Sequence, residues 1–211
     1  MSTILLDLDG TLVDPAKGIF ACIRYALARC GVDEPDERDL RGWIGPPLHE
    51  SFGAFLGDTD LAVTALAHYR ERYLDGFIYE NTLYPGMREL LHSLHGAGFE
   101  LFVATSKPRV FAEPIIERHG LAGLFSGICG SELDGTRADK TSLIAWICER
   151  HRIEPQTATM IGDRQFDMIG AKQNGLWAVG VTYGYGTAAE LRAAGAGALC
   201  SNPSALWSLL R

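Results

Sequence analysis

The stretch ILLDLDGTL, residues 4–12, decides the fold of this chain. Its apolar half is typical of a buried strand in a parallel sheet, and the ligands of such sheets gather at the carboxyl ends of the strands. Because side chains alternate along a strand, those of Asp7 and Asp9 point the same way, and Gly10 lets the chain turn just beyond them. Two aligned carboxylates repel each other unless a cation or a proton is supplied. The stretch therefore predicts a divalent metal site, and hard oxygen ligands in small number favour Mg²⁺.

The composition argues against a nucleic-acid-binding, disulfide-bonded or membrane protein. The 211 residues are enough for one full domain with an insertion or for two small domains, and the formal net charge is −7. Since binding to a phosphate backbone needs a basic stripe, and the basic residues here are scattered, we expect no nucleic-acid partner. Five cysteines at irregular spacing, without a Cys-x-x-Cys pair, indicate reduced thiols. We predict neither a signal peptide nor a membrane partner, and we expect a cytoplasmic monomer or homodimer.

Hydrophobic spacing divides the chain into a helical block and an alternating block. A first helix is predicted to begin at Asp14-Pro15 with Asp14 as its N-cap. Residues 32–41 form a polar segment with no predicted helix, residues 42–47 are predicted to form a loop, and the regular elements expected as far as about Tyr79 are all helices. Beyond it, helices alternate with apolar strands at 100–104, 125–129, 159–161 and 177–181. This alternation predicts an α/β fold, a doubly wound parallel sheet formed by residues 1–14 and 82–211. Residues 15–81 are predicted to be an all-helical cap, inserted after the first strand where it could act as a lid.

Polar residues follow several of the predicted strands. Thr105, Ser106 and Lys107 come directly after one strand, and Lys140 begins a helix. Asp163 follows another strand, with Asp167 four residues further on. The carboxyl ends of parallel strands converge, so we expect these groups at one crevice. A mixture of carboxylates, a hydroxyl and a lysine fits phosphoryl transfer, in which one aspartate attacks phosphorus and a second moves the proton.

The resemblance to a known family rests on four stretches in order: DLDGTL at residues 7–12, TSK at 105–107, Lys140, and GDRQFD at 162–167. They resemble the four motifs of the haloacid-dehalogenase-like (HAD) phosphatase superfamily, and the resemblance covers essentially the whole chain. The resemblance implies a HAD-like Rossmannoid core and hydrolysis through an aspartyl-phosphate. Asp7 would be the nucleophile and Asp9 the general acid and base. Thr105 would hydrogen-bond the phosphoryl oxygens, and Lys140 would pair with Asp7 and the phosphate.

The resemblance also implies a metal site and substrate contacts. Mg²⁺ would be held by Asp7, by the backbone carbonyl of Asp9 and by Asp163, with Asp167 in support. The substrate-binding residues that we predict are Gly10, Gly45, Ser106 and Lys107. For two of these residues a structural role stays open beside the functional one. Asp167 could be an acid favoured in the first turn of a helix by the helix dipole, and Lys107 could be an exposed surface residue.

Within the superfamily, WIGPPL at residues 43–48 and VGVTYGYG at residues 179–186 are similar to the phosphoglycolate phosphatase branch and to bacterial proteins described as 5'-nucleotidases. The predicted substrate is therefore a small phosphorylated metabolite, with a nucleoside 5'-monophosphate first and phosphoglycolate second. A sugar phosphomutase has the same four motifs and stays an alternative. A receiver-type signalling module also surrounds an acceptor aspartate with such groups, but it would lack the helical insertion.

Overall fold

The computed structural model describes residues 2–210, which divide into two compact units. One unit holds the chain up to Asp14 and from Leu83 onward, and the other is Pro15–Thr82. Among the residues described, no helix is both long enough and apolar enough to cross a lipid bilayer.

The regular elements of the chain are as follows. In order they are β1 (Thr3–Leu6), β2 (Val13–Asp14), α1 (Ala16–Arg29), α2 (Glu37–Arg41), α3 (Leu48–Leu56), α4 (Thr59–Leu74), β3 (Thr82–Leu83), α5 (Met87–Gly96), β4 (Glu100–Pro108), α6 (Arg109–Arg118), β5 (Gly127–Ser131), α7 (Lys140–His151), β6 (Ala158–Gly162), α8 (Gln165–Gln173), β7 (Trp177–Val181), α9 (Ala188–Ala193), β8 (Ala198–Cys200) and α10 (Pro203–Leu209). Short 3₁₀ turns lie at Phe77–Tyr79, Ala122–Leu124 and Pro155–Thr157.

Six strands form one parallel sheet in the order β5-β4-β1-β6-β7-β8. The order reverses at β1, which pairs with β4 on one side and β6 on the other. Leu6, the last residue of β1, is opposite Val103 and Ile161 in the two neighbouring strands. Ligands of open α/β sheets bind where the strand order reverses. The carboxyl ends of β1, β4 and β6 therefore lie at the position where such a sheet forms its site.

The sheet is buried on both faces, as a parallel sheet must be. On one face Leu5, Phe102 and Met160 form a hydrophobic cluster with buried residues of α7, α8 and α9. The alternate residues of β1, Ile4 and Leu6, face the other way and are also buried. The predicted α/β fold with a doubly wound parallel sheet is confirmed.

The second unit is built from α1 to α4 around an aromatic cluster. Trp43 packs edge-on against Phe52 at 5.1 Å between ring centroids, and Tyr69 stacks on Tyr73 at 5.4 Å. Aspartates define the starts of two of these helices. Asp58, for example, accepts a hydrogen bond from the amide of Leu61 at 2.9 Å, which satisfies a free donor of the first turn of α4.

Three local predictions are wrong. Helix α1 begins at Ala16 after Pro15, and Asp14 lies in β2, where its carboxylate accepts a hydrogen bond from the hydroxyl of Tyr185 instead of capping the helix. The polar segment at 32–41, for which no helix was predicted, contains α2, because Asp36 caps it by accepting from the amide of Asp39. Strand β4 continues to Pro108, four residues beyond its predicted end, with a register shift against β5.

Candidate active site

The centre of the site is an ion pair between Asp7 and Lys140. Asp7 follows β1, and its amide donates to the carbonyl of Ile161 in β6 at 2.9 Å. Lys140 is the first residue of α7 and is 4% exposed. Its Nζ donates to Oδ1 of Asp7 at 2.9 Å and to the carbonyl of Ala104 in β4 at 2.8 Å. Three strands and one helix thus fix the orientation of the Asp7 carboxylate.

Asp167 belongs both to the start of a helix and to the site. It lies in the first turn of α8, and its Oδ2 accepts a hydrogen bond from the amide of Arg164 at 3.1 Å. Its Oδ1 lies 2.8 Å from Nζ of Lys140. The Asp167 carboxylate therefore lies in the first turn of a helix and also beside Lys140, and its supporting role at the metal stays a prediction.

Three buried carboxylates can face one cation. Asp7, Asp163 and Asp167 each offer an oxygen atom, and these atoms lie within 4.8 Å of one another. Burial raises the pKa of Asp163 well above its ordinary value, and the Asp167 and Asp7 carboxylates raise it further. Both causes penalise the charged forms unless a cation is supplied. Hard oxygen donors in this number suit Mg²⁺, so the residues present fit the predicted metal.

Lys140 compensates only part of this negative charge. Burial lowers its pKa, but the Asp167 and Asp7 carboxylates outweigh burial and raise the pKa overall, which keeps the ammonium charged. Burial also raises the pKa of Asp167, against the opposing effect of Lys140. The ammonium contacts two of the three carboxylates, those of Asp7 and Asp167, and a divalent cation would balance the remaining negative charge.

Asp9 forms a separate ion pair with Lys107. Nζ of Lys107 lies 2.5 Å from Oδ2 of Asp9, and the two side chains are 7% and 12% exposed. Oδ1 of Asp9 is buried and has no hydrogen-bond partner among residues 2–210. Burial raises the pKa of the Asp9 carboxyl, while the Lys107 ammonium lowers it. A carboxyl group with a raised pKa is suited to hold a proton and to transfer it.

Asp163 is oriented by two residues that were not among the predicted site residues. The Thr11 hydroxyl lies 3.4 Å from Oδ1 of Asp163, and the amide of Tyr185 donates to Oδ2 at 2.8 Å. A Cβ at Gly10, where φ is +87°, would lie 2.2 Å from the same Oδ2. The available signal was YGYG at residues 183–186, since glycines just after a strand indicate close approach of the backbone to another group.

The other predicted site residues have structural partners of their own. Thr105 is buried, and its Oγ1 accepts from the amide of Lys107 at 3.2 Å. The carbonyl of Ser106 accepts from the hydroxyl of Ser131 at 2.8 Å. Gly45, with φ of +110°, lies between α2 and α3 in the other unit. Substrate contacts by these residues and by Gly10 stay predictions.

Known proteins resemble this chain over nearly its whole length. A 5'-nucleotidase of Pseudomonas aeruginosa is 45% identical over 98% of this chain and 94% of its own, and a phosphoglycolate phosphatase of Vibrio parahaemolyticus is 30% identical over 86% and 84%. A crystal structure described as a predicted phosphatase from Clostridium acetobutylicum superposes with a TM-score of 0.95 at 40% identity, covering 99% and 97% of the two chains.

The family follows from a match that includes the site. Residues 4–181 match the model of the haloacid dehalogenase-like hydrolase family, a range that contains Asp7, Lys140 and Asp163. Together with the named relatives, this match confirms the predicted superfamily and the prediction that the chain is a phosphatase. The chain belongs to the haloacid dehalogenase-like hydrolase family.

Proposed function

We propose that the chain is a Mg²⁺-dependent phosphatase that hydrolyses small phosphate monoesters through an aspartyl-phosphate on Asp7. The single observation that carries the proposal is the Asp7 carboxylate, held by Lys140 within reach of the Asp163 and Asp167 carboxylates. A carboxylate with a fixed orientation beside a cation site is suited to attack phosphorus. Asp9 supplies the proton-transfer group, since its Oδ1 is free for a reacting atom.

In the first step an oxygen of Asp7 bonds to phosphorus as the bond from phosphorus to the ester oxygen breaks. Asp9, in its protonated form, gives its proton to that ester oxygen, which leaves as an alcohol. In the second step the Asp9 carboxylate takes a proton from water, whose oxygen bonds to phosphorus as the bond to Asp7 breaks. Inorganic phosphate leaves, and Asp7 and Asp9 return to their starting states.

Three groups hold the transferring phosphoryl group in the proposal. Lys140 stays bound to Oδ1 of Asp7 and neutralises phosphoryl oxygens, and the Thr105 hydroxyl donates to them. Mg²⁺, held by Asp7, Asp163 and the carbonyl of Asp9 with Asp167 in support, would supply electrostatic stabilisation of the phosphoryl oxygens.

The proposed substrate is a nucleoside 5'-monophosphate. It is supported by the relative named 5'-nucleotidase, at 45% identity, while the relative named phosphoglycolate phosphatase supports phosphoglycolate as the second candidate. In the proposal residues 15–81 form the cap that selects the leaving group, with Gly45 among its substrate contacts. A cytoplasmic location and a monomer or homodimer stay predictions.

A panel of phosphate esters, scored by kcat/KM from released phosphate, tests the proposal. Nucleoside 5'-monophosphates should give the highest values, phosphoglycolate should rank second, and Asp7→Asn should abolish turnover while the protein stays folded. A variant that turns over p-nitrophenyl phosphate at the wild-type rate would eliminate Asp7 as the nucleophile.

The alternative within the same fold is a sugar phosphomutase. It predicts interconversion of hexose phosphates with little release of phosphate, so the same panel distinguishes it from a phosphatase. Inclusion of hexose 1-phosphates, with both the isomer and free phosphate measured, decides between the two reactions.

A further inference from the structure

We propose that Lys107 is a positioning residue for protonation of the leaving group: its ammonium holds Oδ2 of Asp9, so that Oδ1 is presented to the departing ester oxygen. The inference rests on the proposed function, in which Asp9 transfers the proton. It gives Lys107 a role through Asp9, whereas the sequence predicted a contact with substrate.

The contact itself is short and shielded from water. Nζ of Lys107 lies 2.5 Å from Oδ2 of Asp9, and the lysine side chain is 7% exposed. The other oxygen, Oδ1, is buried and has no hydrogen-bond partner among the described residues. Because buried polar atoms are nearly always paired, an unpaired oxygen beside a phosphoryl-transfer site indicates a place for a reacting atom.

Local structure fixes Lys107 in this position. The pairing of β4 with β5 shifts register between Thr105 and Pro108, which places Lys107 inside an irregularity of the strand. The amide of Lys107 donates to Oγ1 of Thr105 at 3.2 Å. A Cβ at Gly130 of β5 would lie 2.5 Å from the carbonyl oxygen of Lys107, so the two backbones approach closely. Irregularities of this kind near active sites redirect a side chain, as this one directs Lys107 to Asp9.

The carboxylates of Asp7 and Asp9 therefore form ion pairs with two different lysines. Lys140 holds the attacking carboxylate of Asp7, and Lys107 holds the proton-transfer carboxylate of Asp9. In the proposal Lys140 assists the bond that forms between Asp7 and phosphorus. Lys107 assists the bond that breaks between phosphorus and the ester oxygen. Their loss should consequently have different effects on substrates with different leaving groups.

The basicity of the leaving oxygen decides how much a substrate needs the proton. An alkoxide requires protonation as it leaves, whereas p-nitrophenolate is a stable anion and leaves without it. The series p-nitrophenyl, phenyl and benzyl phosphate varies this property with little change in size. The quantity kcat/KM reports the steps up to departure of the leaving group, so it isolates the step in which the inference places Lys107.

The test compares Lys107→Met with the matched control Lys172→Met, which removes the same charge from an exposed position in α8. General acid catalysis contributes about 10²–10⁴-fold, so a misplaced Asp9 should lower kcat/KM for benzyl phosphate at least tenfold. The loss should be intermediate for phenyl phosphate and less than about threefold for p-nitrophenyl phosphate. The control should match the wild type on all three esters.

A double variant distinguishes an effect of Lys107 that acts through Asp9 from a direct contact of Lys107 with the substrate. In an Asp9→Asn background, Lys107→Met should cause no further loss on benzyl phosphate, because the proton donor is already absent. An equal loss on all three esters, or the same loss with and without Asp9, would overturn the inference. Failure of the wild type to hydrolyse any of the esters would instead overturn the proposed function.

Lys107→Gln keeps the test usable if the Met variant does not fold. The amide of the new side chain can still donate a hydrogen bond to Asp9. The decreases in kcat/KM should therefore follow the same order, benzyl, then phenyl, then p-nitrophenyl phosphate, but each should be smaller than for Lys107→Met. A uniform loss across the three esters contradicts the inference for this variant too. Thermal unfolding of each variant, measured alongside, verifies that the compared proteins are folded.

Discussion

Nζ of Lys140 lies 2.9 Å from Oδ1 of Asp7, so two residues 133 positions apart in the sequence form a buried ion pair. Removal of one partner of such a pair leaves an uncompensated buried charge, which costs about 3–5 kcal/mol. Lys140→Met should therefore lower the free energy of unfolding of the metal-free protein by about that amount and abolish turnover. Urea denaturation in a chelating buffer measures the first effect, and phosphate release measures the second.

Lys172→Met is the control for this measurement, because it removes an exposed lysine of the same size. Its free energy of unfolding should stay within about 0.5 kcal/mol of the wild type, as for most surface substitutions. A Lys140→Met protein as stable as this control would contradict the ion pair as a stabilising contact.

The raised pKa values of Asp163 and Asp167 predict how pH and Mg²⁺ affect stability together. A carboxyl with a raised pKa binds its proton more tightly in the folded protein than in the unfolded chain. Its contribution to stability therefore falls as pH rises from the ordinary value of 3.8 to the raised one. Mg²⁺ should relieve this loss, because it replaces the protons on the same oxygens.

Differential scanning fluorimetry with and without Mg²⁺ measures this coupling. The increase in Tm on addition of Mg²⁺ should be larger at about pH 7.5 than at about pH 5, where protons compete for the carboxylates. Asp163→Asn should remove most of the increase at the higher pH. An increase that is the same at both pH values, or that survives in Asp163→Asn, would show that Mg²⁺ does not bind at this cluster.

Gly10→Ala tests whether the turn after β1 holds a metal ligand in place. The new Cβ would lie 2.2 Å from Oδ2 of Asp163, so the carboxylate must move. Disturbing the groups that orient a metal ligand typically costs 10–100-fold in affinity, and we expect Mg²⁺ affinity to fall by about that factor. Calorimetric titration with Mg²⁺ provides the measurement.

Gly98→Ala controls for backbone strain in this experiment. Gly98 has φ of +86°, nearly equal to the +87° of Gly10, but among the described residues no atom beyond its two chain neighbours lies within 4 Å of its added Cβ. In both variants an alanine must adopt a positive φ, so the backbone strain is about the same. Only Gly10→Ala also displaces the Asp163 carboxylate. Equal Mg²⁺ affinities for the two variants would refute the role of Gly10 in placing the ligand.

The sequence predicted the sheet and the meeting of distant residues at its edge, because both follow from general rules for parallel strands. Asp7, Lys140 and Asp163 come together since β1 lies between β4 and β6. The contact between Lys107 and Asp9 could not be predicted, because it depends on the continuation of β4 and its shift of register against β5. Contacts of Ser106 and Gly45 with substrate stay predictions.

Two contacts of Tyr185 account for the rest of what the sequence left undetermined. The amide of Tyr185 orients Asp163, and the Tyr185 hydroxyl donates a hydrogen bond to Asp14. The glycines of YGYG indicate a close approach of the backbone after β7, but they do not tell which residues meet there. The same hydrogen bond removes Asp14 from its predicted role as a helix cap. Local preference favoured the cap, and a contact from a residue 171 positions away overrides it.

The central claim, attack by Asp7 on phosphorus, is tested most directly by trapping the acyl phosphate with borohydride, which reduces that aspartate to homoserine. The Asp9→Asn variant mixed with p-nitrophenyl phosphate should accumulate the adduct, because this leaving group needs no proton and the second step lacks its base. Peptide mass spectrometry should then find homoserine at position 7 and nowhere else, in step with a burst of p-nitrophenol equal to the enzyme concentration. Such a burst with Asp7 unmodified would contradict the account.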